Sequence, residues 1–128
     1  MPGSLRRSRI SDERRRRLVK LCRALPEVEV EVAQSHLSFR VRKKIFGYYL
    51  FDHHGDGVVS FCCKAAPGEQ SRLVEESPRR FFVPAYLGPK GWVGVRLDRA
   101  SVSWPEMAHL ARVAYRLTAP PNLASQLD

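Results

Sequence analysis

Cysteine is scarce in this 128-residue chain, and the three present, Cys22, Cys62 and Cys63, cannot all pair. Cys62 and Cys63 are neighbours in a strand-like segment, where successive side chains point to opposite faces. Neither a disulfide framework nor a metal gripped jointly by that pair is expected. The pattern fits a reducing, cytoplasmic setting in which the cysteines serve as small buried apolar residues. Long apolar runs are also missing. Lys20 and Arg23 interrupt LVKLCRAL behind the basic N-terminus, which argues against a signal peptide, and nothing is long enough to span a membrane. Internal repeats and low-complexity linkers are absent, so one domain with one core is expected. At this length, folding buries somewhat under ~70% of the unfolded surface, enough for stability without a staple, a metal or a cofactor.

Catalytic motifs are equally thin. No nucleophile-elbow pattern ties serine, histidine and aspartate into a triad. The segment LGPKGWVG lacks the spacing of a phosphate loop and precedes a strand instead of a helix, so it reads as a rigid turn whose Lys90 can still meet an anion. Asp52, His53, His54 and Asp56 crowd one six-residue turn, which is not the geometry of a closed zinc site. His36 lies well before them, and spacing alone does not bring it near. The chain therefore reads as a non-enzyme.

Acidic residues are outnumbered, 13 against 22 Lys and Arg, for a net charge of +9. Residues 1–23 hold nine basic residues against Asp12 and Glu13, a net of +7, leaving only +2 for the rest. An electrostatic case for a polyanionic partner thus rests largely on the first helix and its leader. Residues 1–10 read as a flexible basic leader. Ser11 is the expected N-cap of a helix that Pro26 closes, with Leu18, Leu21, Cys22 and Leu25 on one face. Arg14, Arg15, Arg16 and Arg17 cannot share a face at ~100° per residue. Arg14 points along the apolar stripe and Arg16 aligns with Lys20 and Arg23 on the far side. Two readings stay open, a solvated helix end or a phosphate-contacting face.

VEVEVAQSHLSFRVR reads as an antiparallel hairpin looping at Ala33 to His36. Val32 then faces Leu37, Val30 faces Phe39 and Val28 faces Val41 on one side, while Glu29 faces Arg40 and Glu27 faces Arg42 on the other. That register neutralises Arg40 and Arg42 and leaves Lys43 and Lys44 unpaired at the turn into IFGYYLF. This last segment is apolar on both faces, as in a central strand, with Gly47 allowing a close approach or a bulge. A turn at DHHGDG leads into the strand VVSFCC. A short helix follows within PGEQSRLVEES, and then a loop and a last strand with Val93, Val95 and Leu97 inward, Trp92 and Arg96 outward. Ser103 caps a helix from Trp104 to about Leu117, with Met107, Leu110, Ala111, Ala114 and Leu117 toward the core. Trp92, beside Arg96, is the one aromatic expected as a surface platform.

LCRALPEVE, SFRVRKKIFGYY, SPRRFFVPAYLGPKGWVGVRLD and AYRLTAP together resemble the MmcQ/YjbR family of small bacterial proteins over about Leu18 to Pro120. The resemblance implies a single α+β domain, residues 11–120, whose antiparallel sheet is flanked by N- and C-terminal helices in a CyaY-like arrangement. Residues 121–128 are then a tail. It also implies DNA binding through wing-like elements. Where relatives place glycine in the turn after FRV, this chain has Arg42, Lys43 and Lys44, which suits a cationic wing but makes a positive-φ turn costlier. The expected function is a non-enzymatic DNA-binding module using Lys43, Lys44, Lys90, Arg96 and Arg14 to Arg17 on phosphates. Without a base-reading helix it would be weakly sequence-specific. A protein-interaction or small-ligand module, using the outer sheet surface and the VPAYLGPKG loop, is the alternative.

Overall fold

Ser8 and Ser11 begin the first helix by satisfying each other's backbone. The Ser8 hydroxyl accepts from Ser11 N at 3.0 Å and the Ser11 hydroxyl accepts from Ser8 N at 3.0 Å. The computed structural model describes residues 5–128, and within it α1 spans Arg9–Arg23. The expected cap, Ser11, is therefore the third helical residue, and Ser8 is the cap. Of the expected basic leader, residues 1–4 lie outside the described residues, while Arg9 and Ile10 belong to α1. Leu18, Cys22 and Leu25 of the apolar stripe are buried.

Six strands make one fully antiparallel sheet in the order β1-β2-β3-β4-β6-β5. They are β1 (Glu29–Ala33), β2 (His36–Val41), β3 (Lys44–Phe51), β4 (Val59–Cys63), β5 (Phe81–Phe82) and β6 (Val93–Arg96). Between β4 and β5 lies α2 (Glu69–Glu76), and after β6 come α3 (Trp104–Arg116) and α4 (Pro121–Ala124). The fold is α+β, as the sequence implies. In the first hairpin Glu29 pairs with Arg40, Val30 with Phe39 and Val32 with Leu37, the register expected from double complementarity.

Between the pairs Phe39–Gly47 and Arg40–Ile45, Phe46 has no partner, so β3 carries a bulge there. The extra residue lets Phe46 turn inward next to Gly47. Its ring meets Tyr115 edge-on at 5.8 Å and Phe39 at 6.3 Å. Gly47 makes this possible, because a Cβ there would lie 2.8 Å from Phe61 Cε1.

Leu37, Phe39, Tyr49, Phe61, Cys63, Val93 and Val95 form the inner face, buried under α1 and α3. Each such large side chain contributes ~1.5–3 kcal/mol of burial. Ser103 caps α3 as expected, accepting from Glu106 N at 3.4 Å. Met107, Leu110, Ala111 and Ala114 face the core, but Leu117, expected with them, is 47% exposed. Residues 121–128, expected as a tail, fold back instead: Leu123 is 2% exposed and Asp128 pairs with Arg116 at 2.9 Å.

On the outer face, Tyr48, Cys62 and Gly94 continue one row across the sheet. The segment 83–92 lies over part of that face. Gln70 of α2 staples it, donating from Nε2 to the carbonyl oxygens of Gly88 at 2.9 Å and Trp92 at 2.6 Å. The Phe82 ring occupies the space above Gly94, which leaves no room for a side chain there.

Candidate functional site

Three lysines from separate parts of the chain converge at one end of the sheet. Lys44 is the first residue of β3, Lys64 follows the last residue of β4, and Lys90 closes the short helical turn Gly88–Lys90. Antiparallel pairing of β3 with β4 sets Lys64 opposite Phe46, two residues along β3 from Lys44, through the Lys64 N to Phe46 O bond at 3.1 Å. The turn on the 83–92 segment brings the third. Together they line an open cleft of about 550 Å³, walled by Ile45, Tyr48, Ala65, Leu87, Trp92 and Leu117. No carboxylate lines it.

The absence of acid has a local cause. Arginines occupy the neighbouring carboxylates. Arg42 holds Glu27 through two hydrogen bonds at 2.7 and 3.1 Å, and Arg72 holds Glu69 at 2.7 Å and Glu76 at 2.9 Å. At the far end of β6 from the cleft, Arg96 holds Asp98 at 2.8 and 2.9 Å. The hydrogen bonds from Arg42 and Arg72 keep the Glu27 and Glu69 carboxyls below their ordinary range. Burial alone would raise Asp98, but the hydrogen bonds and charge of Arg96 outweigh it and hold that carboxyl low. Planar guanidinium forks suit carboxylates better than ammonium groups do. Lys43, Lys44, Lys64 and Lys90 consequently form no ion pair among the described residues.

The expected site residues therefore separate. Lys44 and Lys90 are in the cleft, and Lys43 stands exposed at the adjoining turn. That turn has φ of +48° at Arg42 and +69° at Lys43, the costly positive-φ geometry anticipated without glycine. Arg96 is engaged by Asp98. Arg14 is bound internally, donating to three backbone carbonyls. The Arg15 guanidinium sits 6.0 Å from the Tyr49 ring and that of Arg17 lies 4.6 Å from Trp104. Arg16 lies with Lys20 and Arg23 along a shallow depression on α1. None of the helix arginines lines the lysine cleft, whose Tyr48 and Trp92 stand on the sheet face opposite α1.

Trp92 points outward by strand parity, yet it is only 6% exposed and stacks on Tyr48 at 5.8 Å with a 34° tilt. It is a wall of the cleft and not the surface platform expected. Lys64 escaped sequence reading. The signal was present, since extending the β3–β4 register one step past Cys63 sets Lys64 beside the start of β3.

The histidines also come together. His36 on β2 meets His53 edge-on at 5.2 Å, and His53 lies 4.0 Å from His54. Among the described residues, no group of three or more His, Cys, Asp or Glu is placed to hold a metal ion. No helix among them is long and apolar enough to cross a membrane.

The sequence profile of the YjbR family matches residues 23–117. This chain belongs to the YjbR family. A crystal structure of the Deinococcus radiodurans protein DR2400, with a DUF419 domain, shares its fold. The TM-score is 0.64 at 24% sequence identity, over 78% of this chain and 74% of that one. No curated protein matches the chain. The YjbR region runs from the end of α1 through α3, so the whole lysine cleft falls within it.

Proposed function

We propose that this YjbR protein is a non-enzymatic nucleic-acid-binding module that holds phosphates in the cleft of Lys44, Lys64 and Lys90, with Lys43 beside it. One observation carries the reading: three lysines from separate chain segments converge on an open cleft that no carboxylate lines. An accidental charge run would be scattered over a solvated face, whereas these ammonium groups surround a shared concavity. The reading keeps Lys43, Lys44 and Lys90 from the sequence expectation and adds Lys64. Arg14 and Arg96 leave the site, because the donors of Arg14 are engaged by backbone carbonyls and those of Arg96 by Asp98.

Titration of a fluorescent DNA oligonucleotide at several salt concentrations tests it. Log K should fall linearly with log salt, with a slope of about −0.7 to −0.9 per phosphate neutralised, hence roughly −2 to −4 for three or four lysines. Lys44→Glu with Lys90→Glu should abolish most binding, and Arg16→Ala should leave most of it. Micromolar protein that gives no shift at low salt overturns the proposal.

A further inference from the structure

Beyond the lysine cleft, across Leu87, lies a second recess of about 250 Å³. The two share Tyr48 and Leu87 as a common wall, and the second adds Leu50, His53 and Tyr86. Its character is different. No lysine, arginine or carboxylate lines it, and its surface is mainly aromatic and aliphatic.

Tyr86 is unusual among the aromatics. It is 79% exposed, the largest exposure among the described large hydrophobic residues, where Tyr49, Tyr115 and Phe61 are at 1% or less. Its backbone also has φ of +66°, a left-handed conformation costly for a side-chain-bearing residue. The flanking chain fixes it there: Leu87 N donates to Ala85 O at 2.7 Å, and Gly88 N to Pro84 O at 2.8 Å. One ring edge is met by His54 at 6.1 Å. Packing does not explain a solvent-facing tyrosine carried on a hydrogen-bonded backbone turn one residue from the wall of a cationic cleft.

We infer that the polymer bound by this protein is a single-stranded nucleic acid, its phosphates in the lysine cleft and an unpaired base stacked on Tyr86. The inference rests on the phosphate-binding reading of the cleft and extends it. Adjacent cationic and aromatic surfaces are what a single strand requires, since its backbone and its open base faces are both accessible. A duplex keeps its bases stacked inside, so it touches the lysines but places no base on Tyr86. The shelf is open enough to accept a planar ring without selecting among bases, which predicts sequence-tolerant binding.

The test compares a single-stranded oligonucleotide of about 12 nucleotides, as DNA and as RNA, with the duplex of equal length at one low salt concentration. The single strand should bind about tenfold or more tightly than the duplex. Tyr86→Ala should weaken single-strand binding by about fivefold to a hundredfold, leaving duplex binding and the salt slope unchanged, while Tyr86→Phe retains the affinity. An oligonucleotide with central abasic sugars, keeping every phosphate, should lose the same factor against the unmodified protein and nothing against Tyr86→Ala. Circular dichroism confirms that each variant is folded. Equal or tighter duplex binding, or indifference to both Tyr86→Ala and base removal, overturns the single-strand inference and leaves the cleft as a phosphate site. Absence of binding by any nucleic acid at low salt overturns both readings together.

Discussion

The Arg14 guanidinium donates from Nη1 to the carbonyl oxygen of Leu97 at 2.7 Å, joining the first helix to the end of the last strand. The same group reaches Arg99 O at 2.6 Å and Ala100 O at 3.2 Å. These carbonyls belong to the chain that leaves β6 for α3, where no strand partner satisfies them. A charged donor bonded to several carbonyls stabilises by ~1.5–3 kcal/mol. Arg14→Ala should therefore lower stability by about 2 kcal/mol and the melting temperature by roughly 8 °C. Arg16→Ala, two residues away on the solvent side, should change stability by less than about 0.5 kcal/mol. Thermal denaturation of both variants checks this, and equal effects would remove the clamp.

Gly47, like Gly94, is a position where a side chain has no room. The bulge turns Phe46 inward, and the Phe61 ring fills the space a Cβ would need, with Cε1 at 2.8 Å. Gly47→Ala must push Phe61 into a packed core, at a cost of ~1–3 kcal/mol. Urea unfolding should show a lower midpoint at an unchanged slope.

How far the sequence reached depends on whether neighbours in space were neighbours in pattern. The β1–β2 register was legible because apolar and charged positions agreed on it from both faces at once. Even there the detail differs, since the Arg40 guanidinium bonds to Glu31 at 3.3 Å and not to Glu29, its partner across the ladder. A long side chain reaches diagonally as easily as straight across. The start of α1 is hard to read from sequence because its Ser8–Ser11 box lacks the glutamate that usually marks one. Strand parity in the sequence gives the outward direction of Trp92 but not its burial, because the covering segment is held by Gln70, a residue of another element. The lysine cleft was half legible for the same reason: Lys44 and Lys90 stood out as unpaired, while Lys64 acquires its meaning only from strand pairing.

The cysteines should be chemically silent in the folded protein. Burial pushes the Cys22 thiol up to about 12 and Cys63 still further in the same direction. Cys62 rises to about 11, burial outweighing the opposing contact with Ser60. All three are unexposed, and only a thiolate reacts rapidly. A thiol-disulfide dye at pH 8 should label none of them quickly in native protein and all three in denaturant. A fast-reacting thiol in the native state would show that the strand or helix around it opens.

His36 gives stability a pH dependence whose sign follows from its contacts. Its Nδ1 accepts a hydrogen bond from Phe51 N at 3.1 Å, so the ring is neutral, with its one proton on Nε2. Burial lowers its pKa from the ordinary 6.5, the positive charges of His53 and His54 lower it further, and Asp56 opposes them. Because the folded state disfavours the proton, the stabilising contribution is complete above pH 6.5. It is lost as pH falls from there through the lowered folded value. The urea midpoint should therefore decline between pH 7.5 and pH 5.5. Asparagine places an acceptor oxygen near the position of Nδ1 and does not titrate. His36→Asn should keep most of the neutral-pH stability and flatten the decline, leaving only the part due to other titrating groups. An equally steep decline in His36→Asn would assign the dependence to other titrating groups instead.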